Sequence, residues 1–339
     1  MVKLAYLIAL IQFLTLSVFG QRETAIVFTI AGAKHARNKD YTAAIKDYNI
    51  AVKYDSSYAY AYIARGYVEV DLKEYRKAIN DFDRAIRLEP ADARPYVSRG
   101  ASYYELGQWL QALQDYDKAL SLRPSDASAH FNRGMIKSDR FDYKAAIEDF
   151  DLALMYRPND SKTYWNRGEA KAYLRNLDGA IRDYDTAIRL NKNLENVYVK
   201  RGAVKVEAKD FKGATLDLDT AYMLNPRDPI AFCIRGILAG REGKIDMAIR
   251  HFTNAIQLKP DYAQAFHGRG YQYYRTQHFQ AALSDFSREI ELDPRNGSAY
   301  LYRGDAKRML NVEDFCMDFR KAVELKAEGA DDALKKFCH

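Results

Sequence analysis

The chain is poor in proline and glycine, with 8 and 18 in 339 residues. That excludes a collagenous or low-complexity protein, and an aromatic content of 13% is too rich for a disordered one. It has no long run of one charge sign: 52 Lys+Arg face 46 Asp+Glu, and the net +6 is spread over the whole length. A nucleic-acid binder concentrates its basic residues on one face or tail, so none is expected here. The six histidines are scattered, and none has the H-x3-H or H-E-x-x-H spacing that puts two ligands on one helix face. There is no Gly-rich phosphate loop, nucleophile elbow or Cys-His arrangement. The expectation is a non-enzyme with no cofactor and no metal. Asp-x-Asp pairs such as Asp81/Asp83, Asp115/Asp117 and Asp149/Asp151 suggest calcium at first sight. On a helix, however, residues two apart point about 200° from one another and do not share an ion.

Beyond Arg22 there is no long apolar run either, because charges recur every few residues. The exception is the N-terminus, where Lys3 precedes an apolar stretch from Leu4 to Phe19 and then Gly20-Gln21. A basic start, an apolar core and small residues at Val18 and Gly20 describe a secretory signal peptide over residues 1–20, cleaved before Gln21. The alternative is an uncleaved anchor, but the stretch is short of the roughly 20 residues a span needs. No Cys follows it, so lipidation at that junction is not expected. The mature chain is expected to be soluble and exported, with no membrane span.

What the chain has in abundance is self-similarity. Arg-Gly recurs every 34 residues, at Arg65, Arg99, Arg133, Arg167, Arg201, Arg235, Arg269 and Arg303. Three residues before each Arg stands a ring: Tyr62, Tyr96, His130, Tyr164, Tyr198, Phe232, Phe266, Tyr300. Twelve after the Gly stands Ala in seven of the eight copies, from Ala78 to Ala282, and four further on a large apolar residue such as Phe82, Tyr116 or Leu218. Proline closes most copies. With Gly counted as position 8, the ring is at 4, Ala at 20, the second apolar residue at 24 and Pro at 32.

This pattern resembles the tetratricopeptide repeat, a helix–turn–helix unit of 34 residues with the signature W-x2-L-G-x2-Y, A-x3-F, P. Arg at position 7 in place of Leu makes it an Arg-Gly variant. The resemblance implies an all-α fold, a right-handed superhelical α-solenoid. A weaker unit with Phe28, Gly32, Ala44, Tyr48 and Ala51 in phase precedes the others. Nine units are therefore expected at 25–58, 59–92, 93–126, 127–160, 161–194, 195–228, 229–262, 263–296 and 297–329, and a capping helix at 330–339. The ninth unit is one residue short in its inner turn, since Phe319 follows Gly304 by 15 rather than 16. No stretch is left over for a catalytic domain.

Each unit buries its apolar face only against its neighbours. Gly at 8 and Ala at 20 and 27 allow close approach of helices, while rings at 4, 17 and 24 fill the space between. Asp92, Asp126, Asp160 and Asp228 are placed to cap the following helices. Arg at 7 recurs with Asp at 23, which predicts a structural Arg–Asp ladder, within a unit or across the junction. His251 takes the Asp position in the seventh unit.

The odd number of cysteines leaves at least one free thiol. Cys316 and Cys338 are placed to pair if the cap folds back, the alternative being two buried thiols; Cys233 falls at position 5. Sequons at Asn159 and Asn296 lie at unit junctions.

In the tetratricopeptide family the stripe at positions 5, 9 and 12 or 13 of each first helix lines a concave groove for peptides or partner helices. Here it is unusually apolar. The residues expected to bind a peptide are Tyr67, Tyr104, Phe131, Met135, Trp165, Tyr173, Tyr271 and Tyr274, centred on Phe131, Met135, Trp165 and Tyr173. The carboxylate clamp by which some family members hold heat-shock-protein C-termini is absent: only Asn132 and Lys162 match it, and Asn166 stands where Arg is required. The expected function is an exported, non-catalytic scaffold for a protein or peptide partner. The likeness of the ending Phe315–Ala322, with a nearby Cys, to bacterial envelope-facing repeat proteins points to a periplasm, or else a secreted protein. The alternatives are a cochaperone of a secretory route, including the endoplasmic reticulum lumen, and a non-catalytic subunit of an envelope enzyme complex.

Overall fold

The structure is a computed structural model that describes the backbone of residues 2–338 and the side chains of residues 20–338. The side chains of the expected signal segment, residues 1–19 of the 1–20 span, lie outside the described residues. Among the described residues there are 19 helices and no strand, so the protein is an all-α solenoid of helix–turn–helix repeats. The chain forms two compact units, Met1–Ala170 and Lys171–His339.

The first unit contains α1 (Val2–Arg37), α2 (Tyr41–Tyr54), α3 (Ala59–Asp71), α4 (Tyr75–Leu88), α5 (Ala93–Glu105), α6 (Trp109–Leu122), α7 (Ala127–Asp139), α8 (Tyr143–Tyr156) and most of α9 (Ser161–Tyr173). The second continues with α10 (Leu177–Leu190), α11 (Glu195–Glu207), α12 (Phe211–Leu224), α13 (Pro229–Arg241), α14 (Ile245–Leu258), α15 (Ala263–Arg275) and α16 (Phe279–Leu292). It closes with α17 (Gly297–Met309), α18 (Phe315–Glu324) and α19 (Ala330–Phe337). The two helices of a repeat pack on one another from α1/α2 to α7/α8 and from α11/α12 to α17/α18, and a second helix packs on the next first helix from α2/α3 to α6/α7 and from α10/α11 to α16/α17. Among the described residues no helix is long and apolar enough to cross a membrane.

Local chemistry sets the helix ends. The residue before each closing proline cannot stay helical because the proline ring crowds it. Accordingly Glu89, Arg123, Asn225 and Lys259 end their helices in extended conformations, with φ between −134 and −141°. Asp92, Asp126 and Asp228 accept from backbone amides at the start of the following helix, whereas Asp160 accepts from the Thr163 hydroxyl. The turn inside each repeat relies on a left-handed residue at position 15. Gly107 and Gly243 take it without cost, but Lys39, Lys73, Phe141, Arg175, Lys209, Gln277 and Asn311 adopt it too, at φ 57–64°. Asp40, Asp142, Asn176 and Asp210 then cap the second helices.

The core repeats one contact. A Cβ added at Gly66, Gly134 or Gly236 would lie 2.6–2.8 Å from the ring at position 24 of its own repeat, Phe82, Phe150 or Phe252. Only glycine lets that ring lie against the first helix. Ala at 20 and 27 is buried throughout, but Glu289 stands at position 27 of the eighth repeat, equally buried. Its carboxylate is satisfied by His267 Nδ1 at 2.9 Å and Asn296 Nδ2 at 2.6 Å.

The ladder is both within and across repeats. Arg99 donates from Nε and Nη2 to Asp115 of its own repeat, at 2.8 and 2.6 Å, and from Nη1 to Asp83 of the preceding one, at 2.5 Å. Arg133 treats Asp149 and Asp117 in the same way, and Arg201 treats Asp217 and Asp185. The two acids of an Asp-x-Asp pair therefore serve different arginines. The ring at position 4 lies under the same guanidinium, 5.3–5.7 Å away at Tyr96, Tyr164, Tyr198 and Phe266.

At two rungs the local charges shift the aspartate in opposite directions. Where Lys137 adds a second cation, 2.7 Å from Asp149, hydrogen bonds from Arg133 and Lys137 outweigh burial and hold Asp149 below its ordinary value. Where Arg99 alone faces two acids, burial, aided by Asp83, pushes Asp115 up. At the second repeat the position of Lys137 is held by Glu69, whose Oε2 is buried without a partner. Burial, with Asp81 beside it, pushes Glu69 up to about 7.

Cys316 and Cys338 form a disulfide that ties α19 to α18. The expected placement of Cys233 on a groove is corrected: it is free and buried beside Phe252, and burial pushes its thiol up to about 11. Ile63 and Val199 at the same position are also buried. Position 5 faces the second helices in those repeats, so the open stripe is narrower than the helical spacing suggests.

Candidate functional site

The open stripe begins at position 9, where Tyr67 and Ile237 are exposed, and continues to positions 12 and 13. A recess opens on it in each compact unit.

In the first unit a recess of about 130 Å³ is lined by Tyr104, Phe131 and Met135 together with Glu105, Asn132 and Lys162. Tyr104 comes from α5 and the other two expected residues from α7; Lys162 of α9 lies over the Phe131 ring at 5.2 Å. Phe131 is backed by Phe150, 5.9 Å between centroids, so its position is fixed by the core. The Tyr104 hydroxyl donates to Asp139 at 2.6 Å. Burial and that carboxylate push it up to about 12, so it stays a neutral donor. The acid Glu105 and the base Lys162 share this recess, which suits an apolar side chain between polar backbone groups.

In the second unit the recess is larger, about 440 Å³, lined by Ile237, Arg241, His267, Tyr271, Arg275 and Tyr302, with Phe252 beneath. Tyr302 is its centre. Its ring lies 5.3 Å from Tyr271, 5.5 Å from Tyr274 and 5.6 Å from Phe286. The Tyr274 hydroxyl donates to Asp305, and burial followed by that bond raises its pKa. Gly268 makes the wall possible, because a Cβ there would lie 2.4 Å from the Phe252 ring. Arg241 and Arg275 are exposed on the rim, and Arg275 donates to the Gly240 carbonyl at 3.3 Å. Aromatic walls with two cations at the edge can take a flat or apolar side chain and an adjacent carboxylate.

The expected binding residues thus divide. Tyr104, Phe131 and Met135 meet in one recess; Tyr271 lines the other, with Tyr274 packed on its central ring. Tyr67 is half covered by Phe82, 5.9 Å away. Trp165 belongs to the first unit and its buried Nε1 has no partner; Tyr173 belongs to the second and is exposed. Tyr302, Arg241 and Arg275 were missed by sequence reasoning. Tyr302 sits at position 6, where no other repeat carries an aromatic residue, and that outlier was the available signal.

Family models described as TPR repeat and tetratricopeptide repeat match residues 66–137, 127–194 and 235–296, together more than half of the chain. Solved structures with the same fold include a tetratricopeptide repeat protein from Parabacteroides merdae. It has 20% identity and a TM-score of 0.61, over 72% of this chain and 97% of that one. The Cut9–Hcn1 hetero-tetramer of the APC/C matches at 15% identity and a TM-score of 0.62, over 93% of this chain and 76% of that one. YrrB, described as a TPR protein with an unusual peptide-binding site, matches at 24% identity and a TM-score of 0.50, over 56% and 97%. No curated protein matches the chain significantly in sequence.

Proposed function

The chain belongs to the tetratricopeptide repeat family, and on that premise we propose that it is a non-catalytic scaffold that holds a peptide segment of a partner protein on the open stripe of its first helices. The observation that carries this reading is the second-unit recess, where Tyr271 and Tyr302 stand beside two exposed arginines. Partly exposed rings clustered in a recess with cations on its rim are the kind of surface on which an anchor residue docks. The segment that suits it carries an aromatic or aliphatic anchor and an acidic group. The peptide-binding site reported for YrrB supports the use of such a fold for this purpose. Tyr104, Phe131 and Met135 serve as a second contact.

The same reading assigns the protein to an oxidising compartment outside the cytosol, a bacterial envelope or the exterior. Its supports are the signal-like residues 1–20 and the Cys316–Cys338 disulfide, since such bonds persist where thiols are not kept reduced.

The test is a crosslinked pull-down from native extract with the wild-type chain, Tyr271→Ala/Arg275→Ala and Phe131→Ala/Met135→Ala, each checked by circular dichroism. One or two proteins captured by the wild type and lost with the folded variants support the scaffold, and the crosslinked peptide identifies the segment. Undiminished capture by both variants overturns this site.

A further inference from the structure

At Arg235 the rung within a repeat is missing. On either side of the break, an aspartate at position 23 takes both Nε and Nη2 of its arginine. Asp217 does so for Arg201 at 2.8 and 2.5 Å, and Asp285 for Arg269 at 2.9 and 2.8 Å. In the seventh repeat that position is His251. Arg235 turns its Nη2 to Asp219 at 2.6 Å and to the Leu218 carbonyl at 3.0 Å. Its Nε is left buried with no partner, and so is Nδ1 of His251. Arg235 and His251 both line an open cavity of about 190 Å³ together with Leu238 and Met247, and Glu242 and Lys244 pair at 3.0 Å on its rim.

A buried polar atom without a partner costs about 1–3 kcal/mol, and this cavity brings two together: the Arg235 Nε–H donor and the His251 Nδ1, which donates in its Nδ1–H tautomer. Its chemistry is read from the neighbouring repeats, where the group that satisfies the same arginine atoms is a carboxylate held side-on. Among the charged groups lining the cavity, Arg235 and Lys244 balance Asp219 and Glu242, and the exposed Arg250 adds a positive field at the His251 ring that favours an incoming negative charge.

We propose that this cavity is a carboxylate-binding site, in which an incoming carboxylate takes the place of the missing aspartate and accepts from Arg235 Nε and the His251 ring. The carboxylate comes from a small free acid or from an acidic side chain of a protein; the recess with Tyr271 and Tyr302 is separate and the site does not depend on it.

The substitution that tests this is His251→Asp, which supplies the carboxylate from the chain itself. Thermal unfolding of the full chain is followed in sodium acetate against sodium chloride of equal ionic strength. A parallel arm uses the blocked peptide acetyl-Gly-Glu-Gly-amide against its Gln counterpart. The wild type is expected to gain about 2–4 °C in Tm, saturably. H251D is expected to show a similar gain without ligand and none on adding it. Response to acetate alone identifies a small acid; response to the peptide identifies a protein carboxylate. As a check independent of H251D folding, the Arg235 Nε–H resonance, assigned with Arg235→Lys, is expected to shift on acetate titration. No Tm gain over chloride with no movement of that resonance, or an equal gain in a folded H251D, overturns the site.

Discussion

Arg99 binds Asp83 across a repeat junction at 2.5 Å with the one guanidinium nitrogen that its own repeat's Asp115 does not use. A single side chain therefore fixes both the angle within a repeat and the register between repeats. The two acids are not equivalent, because Asp115 is almost wholly buried while Asp83 is about one-third exposed. Asp115→Ala leaves a half-buried guanidinium short of its main partner and is expected to cost about 3 kcal/mol. Asp83→Ala removes a solvated partner and also relieves the like charge on Asp115, so its expected cost is under about 1 kcal/mol. Urea unfolding of the two variants checks the order, and equal losses would contradict the division of roles.

Glu69 makes a pH prediction. Its folded pKa of about 7 lies above the ordinary 4.5, so the folded state holds the proton that the unfolded state releases. The stability tied to the protonated acid is complete below pH 4.5 and falls as pH rises through about 7. Glu69→Gln keeps the shape and cannot ionise. It is expected to remove that decline and to be more stable than the wild type by about 2 kcal/mol at pH 8. Unfolding midpoints of both proteins from pH 4 to 9 decide it, and parallel curves count against a buried, ionisable Glu69.

The inner turns predict opposite effects at equivalent positions. Gly107 and Phe141 both occupy position 15, at φ 72° and 64°. A side chain in this left-handed conformation costs about 1 kcal/mol. Gly107→Ala is expected to lose about that much, and Phe141→Gly to gain up to about 1 kcal/mol less the entropy glycine adds to the unfolded chain. Chemical denaturation measures both. A loss in Phe141→Gly would mean that the exposed ring's contact with Tyr143, 6.3 Å away, outweighs the backbone strain.

The left-handed turns were not legible beforehand because seven of the nine residues at position 15 are not glycine; the backbone there is imposed by the helix pair rather than by the residue. The ladder was legible as an interval of 16 between Arg and Asp in most repeats, 15 in the ninth. Its direction was not, since Asp83 and Asp115 stand 16 residues either side of Arg99 and sequence distance does not separate them. The open stripe was legible at Tyr67, which is exposed, and at Tyr271, which lines a recess. It misled at Ile63, Val199 and Cys233, because a first helix packed on two sides buries the face between its stripes. Tyr302 and Glu289 were missed as departures from the repeat, Glu289 at a position otherwise held by Ala and Tyr302 at one with no other aromatic residue.

The end of the array depends on a covalent tie. α19 has eight residues, too few for a helix to persist alone in water. Its Phe337 ring lies 6.3 Å from Phe319, the buried ring of the last repeat, and carries Arg308 at 4.2 Å. The disulfide closes a loop of 22 residues, worth about 3 kcal/mol against the unfolded cap. Reduction, or Cys316→Ser with Cys338→Ser, is expected to release α19 and expose Phe319 while the other repeats keep their fold. Hydrogen exchange is then expected to speed up across 330–337, spread next into α18, and leave α3 to α8 unchanged. Unaltered protection of 330–337 after reduction would show that Phe337 and Arg308 hold the cap by themselves. In that case an exported and a cytosolic form of the chain would be equally well folded, and the disulfide would no longer support an oxidising location.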